Sequence, residues 1–114
     1  MHTHDDEAYY IMEGNPALTV GGKQIPGNTG SMVWLPRDVE HGFIMLSTQA
    51  RLLILLAPAG QEQAFHALST PAESLAFIRP THAPSPELIN EITTQHSAYG
   101  VRFTGPPPPP PELR

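Results

Sequence analysis

An all-β sandwich or barrel followed by helices is the fold class this sequence predicts, on three observations. From Glu7 to about Ala57, short runs of apolar and aromatic residues are separated by clusters of glycine, proline and asparagine, a spacing that suits a sandwich or barrel better than alternating strands and helices. Gly21-Gly22 stands between two such runs, and its glycines can take the positive φ angles that a two-residue hairpin loop requires. Helical patterns begin only after Pro58.

In chain order, Ala8 to Met12 reads as a strand stopped by Glu13-Gly14-Asn15-Pro16, and Ala17 to Val20 and Lys23 to Ile25 as the arms of the hairpin. After the turn cluster Pro26-Gly27-Asn28-Thr29-Gly30, a strand over Met32 to Leu35 ends at Pro36, whose missing N–H cannot continue a ladder. Gly42 to Leu46 and Arg51 to Leu56 give two more strands. The second of these, Leu52-Leu53-Ile54-Leu55-Leu56, lacks polar alternation, which predicts burial on both faces or a cover, for which the helix that follows is the candidate.

Gln61 to Leu68 contains no breaker and places Ala64, Phe65 and Leu68 on one face of a short amphipathic helix. Ser85-Pro86-Glu87 opens a second, with serine as N-cap, proline at the first helical position and an acid in the first turn. Gly100 marks its end. The tail carries six prolines from Pro106 to Pro111 and reads as polyproline II or disordered. The expected organisation is a β core over residues 1–58, a helical and loop extension over 59–104, and a proline-rich tail over 105–114.

Composition narrows the function. The 114 residues carry 11 acidic and 6 basic side chains, a net charge of −5, with no basic run, so nucleic acid and anionic membranes are not expected partners. No cysteine is present, so any metal must be held by imidazole and oxygen donors. The start, Met1-His2-Thr3-His4-Asp5-Asp6, is polar and acidic, unlike a signal peptide, and the longest apolar run, Leu52 to Pro58, is too short to span a bilayer. A cytoplasmic protein is expected.

Six histidines remain as the chemically informative residues. His2-Thr3-His4 would put two imidazoles on one face of a strand, directly before the acids Asp5-Asp6-Glu7. A second segment runs from Gly30 through Pro36 and Arg37-Asp38-Val39-Glu40 to His41-Gly42-Phe43. His66, His82 and His96 fall in a helix, a loop and a helix end, and each has an ordinary structural reading.

Glu7-Ala8-Tyr9-Tyr10-Ile11-Met12-Glu13-Gly14 resembles the first motif of the cupin superfamily, and Gly30 through Phe43 resembles the second, in the right order and at about the right distance. Leu53 to Gly60, the helix after it, Ala98-Tyr99-Gly100 and the proline run are similar to small bacterial cupins of the quercetin dioxygenase-like kind. The resemblance implies a cupin jelly-roll barrel with C-terminal helices, holding a divalent transition metal (iron, manganese, nickel, copper or zinc) on histidines and a glutamate. Glu7 and His41 match the family's ligands. Counting back from Glu7 by the family's common spacing makes His2 the second histidine and puts the first before Met1, so either the start lies further upstream or the barrel is short of its opening strands, with His4 as a substitute ligand. Asp38 stands where the second motif usually has glycine, and Met45 where it usually ends in asparagine.

The implied functions are a dioxygenase-like enzyme acting on a small aromatic or enolisable molecule, with Glu7 as ligand and proton acceptor; a non-redox isomerase or cyclase on the same site; or a small-ligand-binding module without turnover. Exposed ladder edges in a shortened barrel predict a homodimer, with Leu52 to Leu56 near the contact.

Overall fold

The computed structural model describes residues 1–76 and 81–106, so the tail over 107–114 lies outside the described residues. Six strands precede two helices among them: β1 (Asp6–Glu13), β2 (Pro16–Val20), β3 (Lys23–Pro26), β4 (Met32–Leu35), β5 (His41–Met45), β6 (Arg51–Ala57), α1 (Glu62–Leu68) and α2 (Pro86–Ala98). The strands form two three-stranded antiparallel sheets, ordered β4-β1-β6 and β3-β2-β5.

Strand alternation decides what lies between the sheets. β1 turns Glu7, Tyr9 and Ile11 inward, and the register sets Leu35 and Leu56 beside Glu7, and Val33 and Ile54 beside Tyr9. On the facing sheet, Val20 pairs with His41 and Leu18 with Phe43, so His41 and Phe43 share the inner face with Leu18. Tyr9, Ile11, Leu18, Val33 and Leu35 are the buried cluster, with Val20, Ile25 and Leu52 packed against it.

The hairpin forms as the sequence predicts. β2 and β3 pair from Val20↔Lys23 outward, and Gly21 and Gly22 have φ of 54° and 78°. The start of α2 also follows the sequence: the Ser85 side chain accepts from the Leu88 N–H at 3.2 Å with Pro86 opening the helix. Asp38, standing where glycine was expected, takes a positive φ of 62°, which a short polar side chain tolerates.

β6 departs from expectation. It is an edge strand of its sheet among the described residues, and Leu53, Ile54 and Leu55 are each close to half exposed, so neither face is fully buried. α1 packs against α2, leaving the apolar run of β6 uncovered. Its lack of polar alternation therefore reflects two apolar faces that this chain alone does not bury. The outer face of the whole sheet is alike: Trp34, Ala8 and Leu55 form one cross-strand row, Met32, Tyr10 and Leu53 the next.

Candidate metal centre

The inward pleat of β1 and that of β5 bring a carboxylate and an imidazole together from opposite sheets. His41 Nε2 lies 3.1 Å from Glu7 Oε2. A second imidazole arrives from outside the strands: His2 makes an isolated antiparallel bridge with Val101, and its Nε2 reaches to 3.4 Å from the same Oε2. One ligand atom from each of His2, Glu7 and His41 lies within 4.8 Å of the others, and all three side chains are at most 7% exposed.

The outer nitrogens of both rings are committed. His2 Nδ1 lies 2.7 Å from Asp5 Oδ2, and His41 Nδ1 lies 3.0 Å from the carbonyl oxygen of Val39. Both partners only accept, so each Nδ1 donates a proton to its partner and each Nε2 is the ring atom turned toward Glu7. Glu7 Oε2 itself is buried with no hydrogen-bond partner. The two Nε2 atoms thus approach Oε2 without making a hydrogen bond to it. A cation held between the three atoms would satisfy a buried oxygen that is otherwise costly to leave unpaired.

Two imidazoles and a carboxylate are a donor set that suits a divalent first-row transition metal with positions left open. Asp5 was not expected at the site from the sequence. A carboxylate behind a ligating imidazole fixes its tautomer and raises its basicity, and Asp5 takes that place three residues after His2. Its only sequence signal was membership of the acidic cluster after the histidine pair.

His4 lies outside this group. Residues Thr3 and His4 bend rather than continue a strand, so the two-residue periodicity that would place His4 beside His2 does not apply. His4 is exposed, and its ring stands over Gly100. Of the other histidines, His66 and His82 are exposed, and His96 is buried with Phe65 and Phe103 edge-on to its ring.

A cavity of about 500 Å³ opens from His2 and His41 and is walled by Tyr9 and Phe43 on one side and the segment from Val101 to Pro106 on the other. Tyr9 and Phe43 meet edge to face, with centroids 5.7 Å apart. Burial, and then the negative charge of Glu7, hold the Tyr9 phenol well above its usual range, so it remains a protonated donor.

The cupin domain family model matches residues 1–58, about half of the chain. The chain belongs to the cupin family. This cupin is 36% identical over 53 residues to an uncharacterized protein of Streptomyces coelicolor, covering 46% of this chain and 50% of that one. It is 26% identical over 76 residues to quercetin 2,3-dioxygenase of Bacillus subtilis, covering 67% of this chain and 23% of the relative. The cupin thus spans half the length of the first relative and under a quarter of the second. Among solved structures, it is similar to a Thermus thermophilus protein (TM-score 0.48, 30% identity, 51% of this chain and 56% of that one). It is also similar to a cupin protein of Bacteroides fragilis (TM-score 0.39, 16% identity, 69% and 63%). No helix among the described residues is long and apolar enough to cross a membrane.

Proposed function

We propose that this cupin holds one divalent transition metal on His2, Glu7 and His41 and acts as a dioxygenase-like enzyme on a small aromatic or enolisable substrate. The observation that carries the metal is the buried, unpartnered Glu7 Oε2 faced by two imidazole nitrogens whose other sides are already bonded. Similarity to a quercetin 2,3-dioxygenase supports the reaction class. A bound metal would supply Lewis acidity and, for a redox-active ion, the means to bring dioxygen and substrate together.

The chain's own residues supply the rest. The volume and the aromatic walls Tyr9 and Phe43 suit a planar molecule of modest size, with the protonated Tyr9 phenol on the same strand face as Glu7. Glu7, desolvated between Leu35 and Leu56, accepts a proton from an enol or phenol held beside it.

Oxygen uptake tests this. Protein loaded in turn with iron(II), manganese(II), nickel(II), copper(II) and zinc(II) is offered a panel of flavonols and small 1,2-dicarbonyl enols. Consumption that requires a redox-active ion and disappears in Glu7→Gln is expected. Tight metal binding with no uptake from any substrate would remove the dioxygenase reading and leave isomerisation or ligand binding.

The same proposal includes a homodimer. The uncharged outer rows Trp34-Ala8-Leu55 and Met32-Tyr10-Leu53 form an apolar sheet face of the kind that a second copy covers.

A further inference from the structure

We propose that Gly100 and the two residues after it position the metal ligand His2, and that residue 100 must be glycine because the His4 ring lies against it. This rests on the metal reading of His2, Glu7 and His41 and adds to it a set of residues remote in sequence. His2 lies in no regular strand, yet its backbone is held from both sides. On one side the Thr3 N–H and the Thr3 hydroxyl both donate to the Gly100 carbonyl, at 2.8 and 2.9 Å, and the Arg102 N–H donates to the Met1 carbonyl at 2.8 Å. On the other side the Asp38 N–H donates to the His2 carbonyl at 2.7 Å, three residues before His41.

The clamp is anchored to α2. The Gly100 N–H donates to the Ser97 carbonyl at 3.1 Å and the Val101 N–H to the His96 carbonyl at 3.0 Å, so the helix end sets where the segment leaves. Gly100 has φ of +84°, and a Cβ there would stand 2.5 Å from Cγ and 2.7 Å from Nδ1 of His4. Only glycine both adopts that backbone without strain and leaves room for the His4 ring. A side chain at residue 100 pushes His4 away, and the displacement passes through Thr3 to His2. His2 is then drawn off Asp5 and away from Glu7.

The test reads His2 with and without metal. In metal-free protein, ring nitrogen NMR should show a single Nδ1-protonated tautomer for His2, held by Asp5. Gly100→Ala should mix the tautomers and weaken cobalt(II) binding by about tenfold or more, the range seen when the support of a ligand is lost. His4→Ala should keep cobalt affinity within about threefold of wild type, well short of what losing a ligand or its support costs. In the His4→Ala background, Gly100→Ala should largely lose its effect. Thr3→Val, which removes one of the two bonds to the Gly100 carbonyl without adding bulk, should shift the His2 ring signals in the same direction if Gly100→Ala does not fold.

Unchanged His2 signals in Gly100→Ala, or in Thr3→Val where only that variant folds, would overturn the positioning role. Loss of cobalt in His4→Ala to the extent seen in His41→Ala would make His4 a ligand and overturn the account of its contact with Gly100. Absence of cobalt binding in the wild type would dispose of the metal reading, while the metal-free tautomer of His2 would still decide whether Gly100 positions it.

Discussion

His41 Nε2 and Glu7 Oε2 lie 3.1 Å apart although His41 opens β5 in one sheet and Glu7 sits on β1 of the other. Two strands of opposite sheets meet here through polar side chains in an otherwise apolar interior. Val39 and Asp5 each occupy the far side of a histidine, so that only the inner nitrogens face Glu7.

Asp5 carries the first prediction. Asp5→Asn removes the charge behind His2 while keeping its shape, and support of this kind is worth about 10- to 100-fold in metal affinity. Isothermal titration with zinc(II) should show that loss with unchanged stoichiometry. Wild-type affinity in the variant would mean that the bond from His2 to Asp5 does not act on the site.

Glu7→Gln should separate binding from folding. The substitution removes a buried charge whose Oε2 has no hydrogen-bond partner, so the metal-free variant should melt at the same temperature as the wild type or above it. Calorimetry of both forms in chelator checks this. A fall in Tm of the metal-free protein would show that the carboxylate contributes to folding.

Asp6 and Arg37 give a pH dependence. The Arg37 backbone N–H donates to Asp6 Oδ1 at 2.9 Å and Nη2 to Oδ2 at 2.9 Å, tying β1 to the loop that leads into His41. Bonds from the Arg37 side chain first, and its backbone second, lower the carboxyl of Asp6 below the usual carboxylate range. A lowered folded-state value means that the stabilisation is present above the unfolded value of about 4 and is lost as pH falls through the lower folded value. Asp6→Asn should therefore melt below wild type at pH 7, with the gap closing as pH falls below about 4. A gap that persists at pH 2 would assign the effect to something other than this charge. The pair is exposed, so added salt should narrow the gap as well.

Trp34 tests the outer sheet face. It is 57% exposed in a row with Ala8 and Leu55. Light scattering should give twice the 12.4 kDa chain mass for the wild type and a shift toward the chain mass for Trp34→Lys. A wild-type monomer at micromolar concentration would refute the dimer.

Much of this fold was legible because its signals are local. Gly21-Gly22 has few other uses between two apolar runs, and Ser85-Pro86-Glu87 states a helix start in three residues. Glu7 and His41 were legible through motif resemblance, and period-two alternation then carries both inward. His2 and His4 were not separable from sequence, because the rule that pairs them on one face holds only on a strand, and the chain bends at Thr3 and His4. What places His2 beside Glu7 and His41 is its bridge to Val101 and the bond from Asp38, remote in the chain and invisible to any local pattern. β6 misled for a related reason. Its apolar run says that burial is wanted, not that this chain supplies it.

Metal content in wild type and in His41→Ala decides whether His2, Glu7 and His41 form a metal site. Purified wild-type protein dialysed against a trace of zinc(II), and measured by elemental analysis, should hold one ion per chain, and His41→Ala should hold almost none while keeping its strand content by circular dichroism. Affinity in the wild type should also weaken at acid pH, because ligating imidazoles must be neutral. One ion per chain in both proteins would contradict a site built on His2, Glu7 and His41.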